Sequence, residues 1–292
     1  MTGEAESERA AGGILSIQSQ VAYGHVGNSA AVFPLQRLGF EVWPVPTVLF
    51  SNHTGYGAWR GHVLSAAQVR DILLGVAERG VLTRCGAVVS GYLGDVALGR
   101  VVLDAVREVR ALRPDMLWVC DPVMGDVDLG FFVEPDIPAF FRDEALEQAD
   151  VLTPNLFELG VLTDRSITTL AEMTAAADTL LGRGAKMVAV TSIVLDEADR
   201  RLAVALLTRE ERWIVHTPRL DLRATGTGDA FTALLLGHWL RTRDCRRTLE
   251  AATSAMFALV EATMKAGATE LALIEAQDAF ARPRPRFRAA PL

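Results

Sequence analysis

Short apolar runs that alternate with helix-forming stretches constrain this chain more than any other feature. Residues 14–18, 87–90, 116–120, 151–152 and 187–190 are mostly apolar runs that read as buried strands. Between them lie stretches of helical pattern at 30–38, 66–79, 96–112, 137–148 and 170–181. Strands that read as near-continuous apolar runs are buried on both faces, and strand–helix alternation implies a parallel sheet with helices packed on each side. A hairpin is expected over 202–207 and 213–215, and helices over 230–240, 247–265 and 271–280. Residues 41–50 carry β-type residues together with Pro44 and Pro46, which suits an edge strand.

Such sheets bind ligands beyond the carboxyl ends of their strands. Polar residues collect at that edge here: Ser19, Tyr92, Asp121, Thr153, Asn155 and Thr191 each follow an apolar run. One polar strand end carries little information, but six along one edge indicate a site. At 292 residues and 50% hydrophobic composition, one large α/β domain over 14–280 fits better than two small ones. The polar, acidic residues 1–13 read as a disordered extension without a signal-peptide core, and the basic residues 281–292 as a solvated, extended end.

The most distinctive stretch is Arg223-Ala224-Thr225-Gly226-Thr227-Gly228-Asp229-Ala230-Phe231, where two glycines and a carboxylate run into an apolar helix. Thr227 or Gly228 can cap that helix, with Asp229 in its first turn. Bare amides at a helix N-terminus make an anion site, so Gly226, Thr227 and Gly228 are candidates for an anion hole. An acid beside that site is costly unless it acts on a proton or a metal, which makes Asp229 a candidate base for phosphoryl transfer. The bland alternative is a glycine turn whose Asp supports its own helix.

Other nucleotide motifs do not fit. A Rossmann fingerprint needs a small residue where Phe231 stands. The chain has two lysines, Lys186 and Lys265, and neither follows a glycine, so there is no P-loop. Neither lysine is placed to form a Schiff base with a bound cofactor. His25, His53, His62, His216 and His238 show no zinc-ligand spacing. Asp121, Asp126, Asn155 and Glu158 are oxygen donors suited to Mg²⁺, with Asp121, Asn155 and Glu158 the candidate metal residues. Asn155 and Glu158 also have the spacing of a capping box, and both readings stand. The segment 51–57, with His53 and Thr54 between glycines and polar residues, reads as a lid.

A net charge of −7 argues against a nucleic-acid partner, and the absence of an apolar run of ~18 residues argues against a membrane span. Cys85, Cys120 and Cys245 are odd in number and lack CxxC spacing, as expected of a cytoplasmic protein.

Several segments together resemble the pyridoxal kinases, a branch of the ribokinase-like superfamily. They are Ser16-Ile17-Gln18-Ser19, Gly27-Asn28-Ser29, Phe50-Ser51-Asn52-His53-Thr54, Ser90-Gly91-Tyr92, Cys120-Asp121-Pro122-Val123-Met124-Gly125, Thr153-Pro154-Asn155 and Gly226-Thr227-Gly228-Asp229. The resemblance implies a three-layer α/β/α sandwich that phosphorylates the 5′-hydroxymethyl group of pyridoxal, with ATP as co-substrate, Mg²⁺, a monovalent cation as a further candidate, and a homodimer. It places Ser19 on the pyridine ring, with Val26, Phe50, His53, Thr54 and Tyr92 around it. It places Asp229 as the base, and Asp121, Asp126, Thr153, Asn155, Glu158, Thr191 and Ser192 on metal, phosphate and nucleotide. Three positions depart from the family pattern: Gln20, where many relatives have His; Phe131-Phe132, near the nucleotide; and Thr191-Ser192, in place of Lys-His. The rival readings are a hydroxymethylpyrimidine kinase and a non-catalytic carrier or sensor of B6 vitamers.

Overall fold

The computed structural model describes residues 12–195, 200–222 and 224–292, so most of the N-terminal extension and Arg223 lie outside the described residues. Strands β1 (Gly13–Val21), β2 (Val42–Phe50), β4 (Cys85–Ser90), β5 (Leu117–Cys120), β8 (Val151–Leu152) and β9 (Met187–Ile193) run parallel. β3 (Gly61–Val63), β10 (Arg201–Leu207), β11 (Arg212–Pro218) and β12 (Ala290–Pro291) join antiparallel. The sheet order is β12-β11-β10-β9-β8-β5-β4-β1-β2-β3, and a separate hairpin pairs β6 (Gly125–Asp126) with β7 (Gly130–Phe131).

Successive strand residues enter opposite cores, as the two-residue period demands. Leu15, Ile17, Val88, Trp118 and Cys120 face one core, packed by α2 (Ala66–Ala77), α3 (Val96–Leu112), α5 (Leu156–Thr163) and α6 (Leu170–Gly182). Ile14, Ala87, Val89 and Val119 face the other, packed by α1 (Asn28–Arg37), α7 (Thr227–Thr242) and α8 (Cys245–Lys265). The result is the expected α/β/α sandwich. Among the described residues no helix is long and apolar enough to cross a membrane.

The structure corrects several boundaries. β2 is an edge strand only where Pro44 and Pro46 forbid a further partner; its proline-free end, Val48 to Phe50, is covered by β3. Residues 137–148 begin as α4 (Ile137–Phe140) and pass into a π turn, Phe141–Ala145. Residues 271–280 form turns before a short α9 (Gln277–Ala281). Leu271 and Leu273 are both buried in one core, and a spacing of two would put them on opposite sides of a helix.

The tail is extended and largely exposed, as expected, but its end is paired. Ala290 and Pro291 pair with Ile214 and Trp213 of β11.

Candidate active site

Helix α7 starts three residues earlier than its apolar run implies, with Gly226 as its N-cap at φ 79°. Thr227, Gly228 and Asp229 therefore form the first turn, with their amides at the positive end of the helix. A Cβ on Gly226 would lie 1.8 Å from the carbonyl oxygen of His25, so only glycine lets the two loops meet. The second loop is equally tight: a Cβ on Gly27 would lie 2.2 Å from Ser19 Oγ. This contact joins the end of β1 to the start of α1, and the Gly226 contact joins the same loop to the start of α7. The Gly27 N–H in turn donates to the Asp229 carboxylate.

The two loops border a cleft of about 580 Å³ at the carboxyl ends of the parallel strands. Every candidate residue named from the sequence lines it: Ser19, Val26, Phe50, His53, Thr54, Tyr92, Asp121, Asp126, Thr153, Asn155, Glu158, Thr191, Ser192, Gly226, Thr227, Gly228 and Asp229. One end is an apolar slot in which Val21, Val26, Val48 and Phe50 pack with Tyr92. Trp59 lies against Phe50 with ring centroids 4.1 Å apart. Ser19 stands beside this slot, where the β1–β2 register shifts between Gln18 and Gln20 and turns its side chain toward the cleft. Gln20 points elsewhere and donates to Ser29 Oγ at 3.1 Å.

The expected lid contains a 3₁₀ turn, Thr54–Tyr56. The Gly55 N–H donates to His53 Nδ1 at 3.1 Å, which leaves Nε2 to carry the proton of the neutral ring. Burial holds the His53 pKa below the ordinary imidazole value, against the opposing charges of Glu270 and Asp229. Glu270, which the sequence did not single out, ties three segments at the mouth of the cleft. It accepts from the Tyr56 hydroxyl at 2.6 Å and from the His25 N–H at 2.7 Å.

The other end of the cleft is acidic. Burial raises the Asp229 carboxyl above the ordinary range, and the Gly27 N–H partly offsets this. Asp121 is raised strongly, by burial first and then by the charges of Glu158 and Asp229. Its Oδ2 accepts from Thr232 Oγ1 at 3.3 Å, and Thr232 also donates to Thr153 at 2.9 Å. Glu158 is pushed up to about 7, chiefly by burial.

Asn155 and Glu158 do form the capping box of α5. Asn155 Oδ1 accepts from Glu158 N and Glu158 Oε2 accepts from Asn155 N, each at 2.9 Å. Glu158 Oε1 also accepts from Met124 N, and Asn155 Nδ2 donates to Gly125 O. Both side chains thus clamp the loop after β5, and of the three expected metal residues they are committed to backbone first. No three ligand side chains converge among the described residues. A cation such as Mg²⁺ keeps waters and takes phosphate oxygens, and the buried, mutually repelling Asp121 and Glu158 are the charge it would offset.

Thr191 and Ser192 do not follow a strand; they belong to β9, and Ser192 holds φ 54°. Both also line a second cavity of about 270 Å³ that shares Ala224, Thr227 and Gly228 with the cleft. Its remaining walls are Leu202 and Val204 of β10, the segment Thr217 to Leu222, Phe231 of α7, and Thr253, Met256, Phe257 and Val260 of α8. Sequence reasoning missed this wall, because apolar residues at helical spacing read as core. One signal marks it: Thr253 is 3% exposed, and its hydroxyl has no partner.

Known proteins resemble this chain over nearly its whole length. The family model described as phosphomethylpyrimidine kinase matches residues 56–273. The chain is 54% identical over 276 residues to pyridoxal kinase PdxY of Rubrobacter xylanophilus, covering 94% of this chain and 95% of that one. It is also similar to the solved pyridoxal kinase of Leishmania donovani in complex with ADP and pyridoxamine, with a TM-score of 0.89, 31% identity, and coverage of 96% of this chain and 99% of that one. The same kinase in complex with ADP and pyridoxine gives a TM-score of 0.89 and 32% identity, over 96% and 98% of the two chains.

Proposed function

The chain belongs to the pyridoxal kinases, and from that premise we propose how its cleft phosphorylates the 5′-hydroxymethyl group of pyridoxal with ATP. The observation that supports the reading is that Asp229, in the first turn of α7, lines one cleft together with the Gly226 to Gly228 loop and the slot of Phe50 and Tyr92. The flat pyridine ring lies in the slot of Val26, Phe50 and Tyr92, with Ser19 hydrogen-bonded to its nitrogen. His53 donates Nε2–H toward the ring's polar edge, and Thr54 closes over it.

The hydroxymethyl group then faces Asp229, whose raised pKa suits a base that must take a proton as the oxygen attacks. The γ-phosphate meets the amides of Gly226, Thr227 and Gly228, which absorb the developing charge. The adenine occupies the smaller apolar cavity, and Thr191 and Ser192, shared by both spaces, lie along the phosphate chain. Mg²⁺, when bound, neutralises charge on the phosphates; Asp121 would hold it, with Glu158 and Asn155 acting through its waters and Asp126 and Thr153 nearby. Positioning supplies most of the acceleration.

Two further readings accompany this one. The exposed Leu49, Trp59 and Val63 offer an apolar face for a homodimer, which light scattering would test. The three cysteines are free thiols, consistent with a cytoplasmic location.

A substrate panel tests the reaction. Purified protein with ATP and Mg²⁺ should phosphorylate pyridoxal with higher kcat/KM than hydroxymethylpyrimidine, with pyridoxamine and pyridoxine also accepted. A preference for the pyrimidine would keep the kinase and overturn the ring assignment.

A further inference from the structure

The wall of the smaller cavity is braced from behind by the chain's own tail. Helix α8 turns Thr253, Met256, Phe257 and Val260 toward the cavity. The adjoining stripe of the same helix, Glu250, Ser254, Phe257 and Glu261, is occupied by residues 286–289. The Arg286 N–H donates to Ser254 Oγ at 3.2 Å, and the Arg286 guanidinium reaches Glu261 at 3.1 Å. That guanidinium also lies 4.6 Å from the Phe257 ring centroid. Phe287 meets the same ring edge-on, with centroids 4.9 Å apart. Farther along, Glu250 accepts from Ala289 N and from Arg288, each at 3.1 Å. β12 then anchors the segment on β11.

Phe257 belongs to both sets: the tail grips one side of a ring whose other side borders the cavity. It is 8% exposed. We infer that the tail, through Phe287 on Phe257, is a positioning element for nucleotide binding. The inference rests on the reading of this cavity as the nucleobase site.

The physical reason is preorganisation. The cavity draws its walls from β10, the 217–222 segment and α8, and a ring free to change rotamer would cost binding energy each time a nucleobase entered. The exposed arginine pairs contribute little by themselves, since solvent screens them. The edge-on contact of the half-buried Phe287 with the buried Phe257 is the part that fixes the ring.

Steady-state kinetics on the full chain tests this. Phe287→Ala should raise KM for ATP about three- to tenfold, the range an aromatic pair is worth. KM for pyridoxal should stay within about twofold, and Phe287→Tyr should restore ATP binding. ADP affinity by calorimetry should fall in parallel with the change in KM for ATP. If Phe287→Ala lowers Tm but leaves KM for ATP unchanged, or raises both KM values equally, the tail is only a structural cover and the inference fails. Should that variant not accumulate, Phe287→Leu, which keeps bulk but loses the ring edge, carries the same test. Val260→Trp, which fills the cavity, separates the premise: if it leaves KM for ATP unchanged, the nucleobase assignment itself falls, whatever Phe287 does.

Discussion

The two halves of the site are built on opposite principles. The acidic end of the larger cleft is made of polar groups from short loops, each held by a hydrogen bond or a glycine contact: Asp229 by the Gly27 N–H, Glu158 by two backbone amides, and Gly226 against His25. The smaller cavity takes most of its wall from apolar side chains on several separate segments, with an unpartnered hydroxyl at Thr253. Chemistry on a hydroxyl and a phosphate needs charge at fixed places, and moving such a group changes rates by orders of magnitude. Holding a nucleobase needs area and shape, which are distributed and tolerant. Substitutions in the cleft should therefore give large, specific losses, and those around the cavity graded ones.

The largest effect is expected at Asp229. Asp229→Asn keeps the shape and removes the base, so kcat should fall by about 10²–10⁴-fold while pyridoxal still binds. The acid limb of the wild-type kcat/KM profile should lie above the ordinary carboxylate range, because burial raises this group. Near wild-type turnover in the variant would erase the contrast between the two halves.

Ser19→Ala comes next. A ring nitrogen left without its partner costs roughly 1–3 kcal/mol, so KM for pyridoxal should rise by about one to two decades, with KM for ATP little changed. An equal rise for both substrates would mean that the serine shapes the loop contact with Gly27 rather than reading the ring.

Glu158→Gln should have the smallest effect and sharpens the comparison most. An amide, like the protonated carboxyl, cannot accept from Asn155 and Met124 together, so the variant mimics the neutral form of the wild-type side chain. The folded pKa of about 7 exceeds the ordinary 4.5, so between those values the folded state holds a proton that the unfolded chain has released. Stability contributed by this group therefore falls as pH rises through that window. Melts should therefore show the variant close to wild type at pH 5, with wild type falling below it by pH 8. The Mg²⁺ concentration for half-maximal rate should also rise; if only Tm moves, Glu158 is a cap alone and the metal rests on Asp121.

Legibility followed the same division. Gly226-Thr227-Gly228-Asp229 could be read directly because anion binding at a helix start is a local device, and every candidate named along the strand ends proved to line one cleft. Thr253, Met256, Phe257 and Val260 could not be, since a helix face that borders a cavity has the pattern of one that borders a core. The basic tail, rich in proline, gave a composition typical of a solvated end, yet Phe287 found a ring to pack on and Ala290–Pro291 a strand edge.

What the sequence determined by itself was whatever depends on spacing along the chain. Strand–helix alternation gave the sandwich, glycines gave the anion loop, and Asn155 with Glu158 gave a cap. Only the tertiary structure decided what depends on contacts between distant segments. It brought Gly27 to Asp229, Glu270 to Tyr56 and His25, and the tail to Phe257. The physical reason is that local geometry is fixed by backbone sterics within a few residues. Which buried face becomes a wall and which a core is settled only when the layers pack.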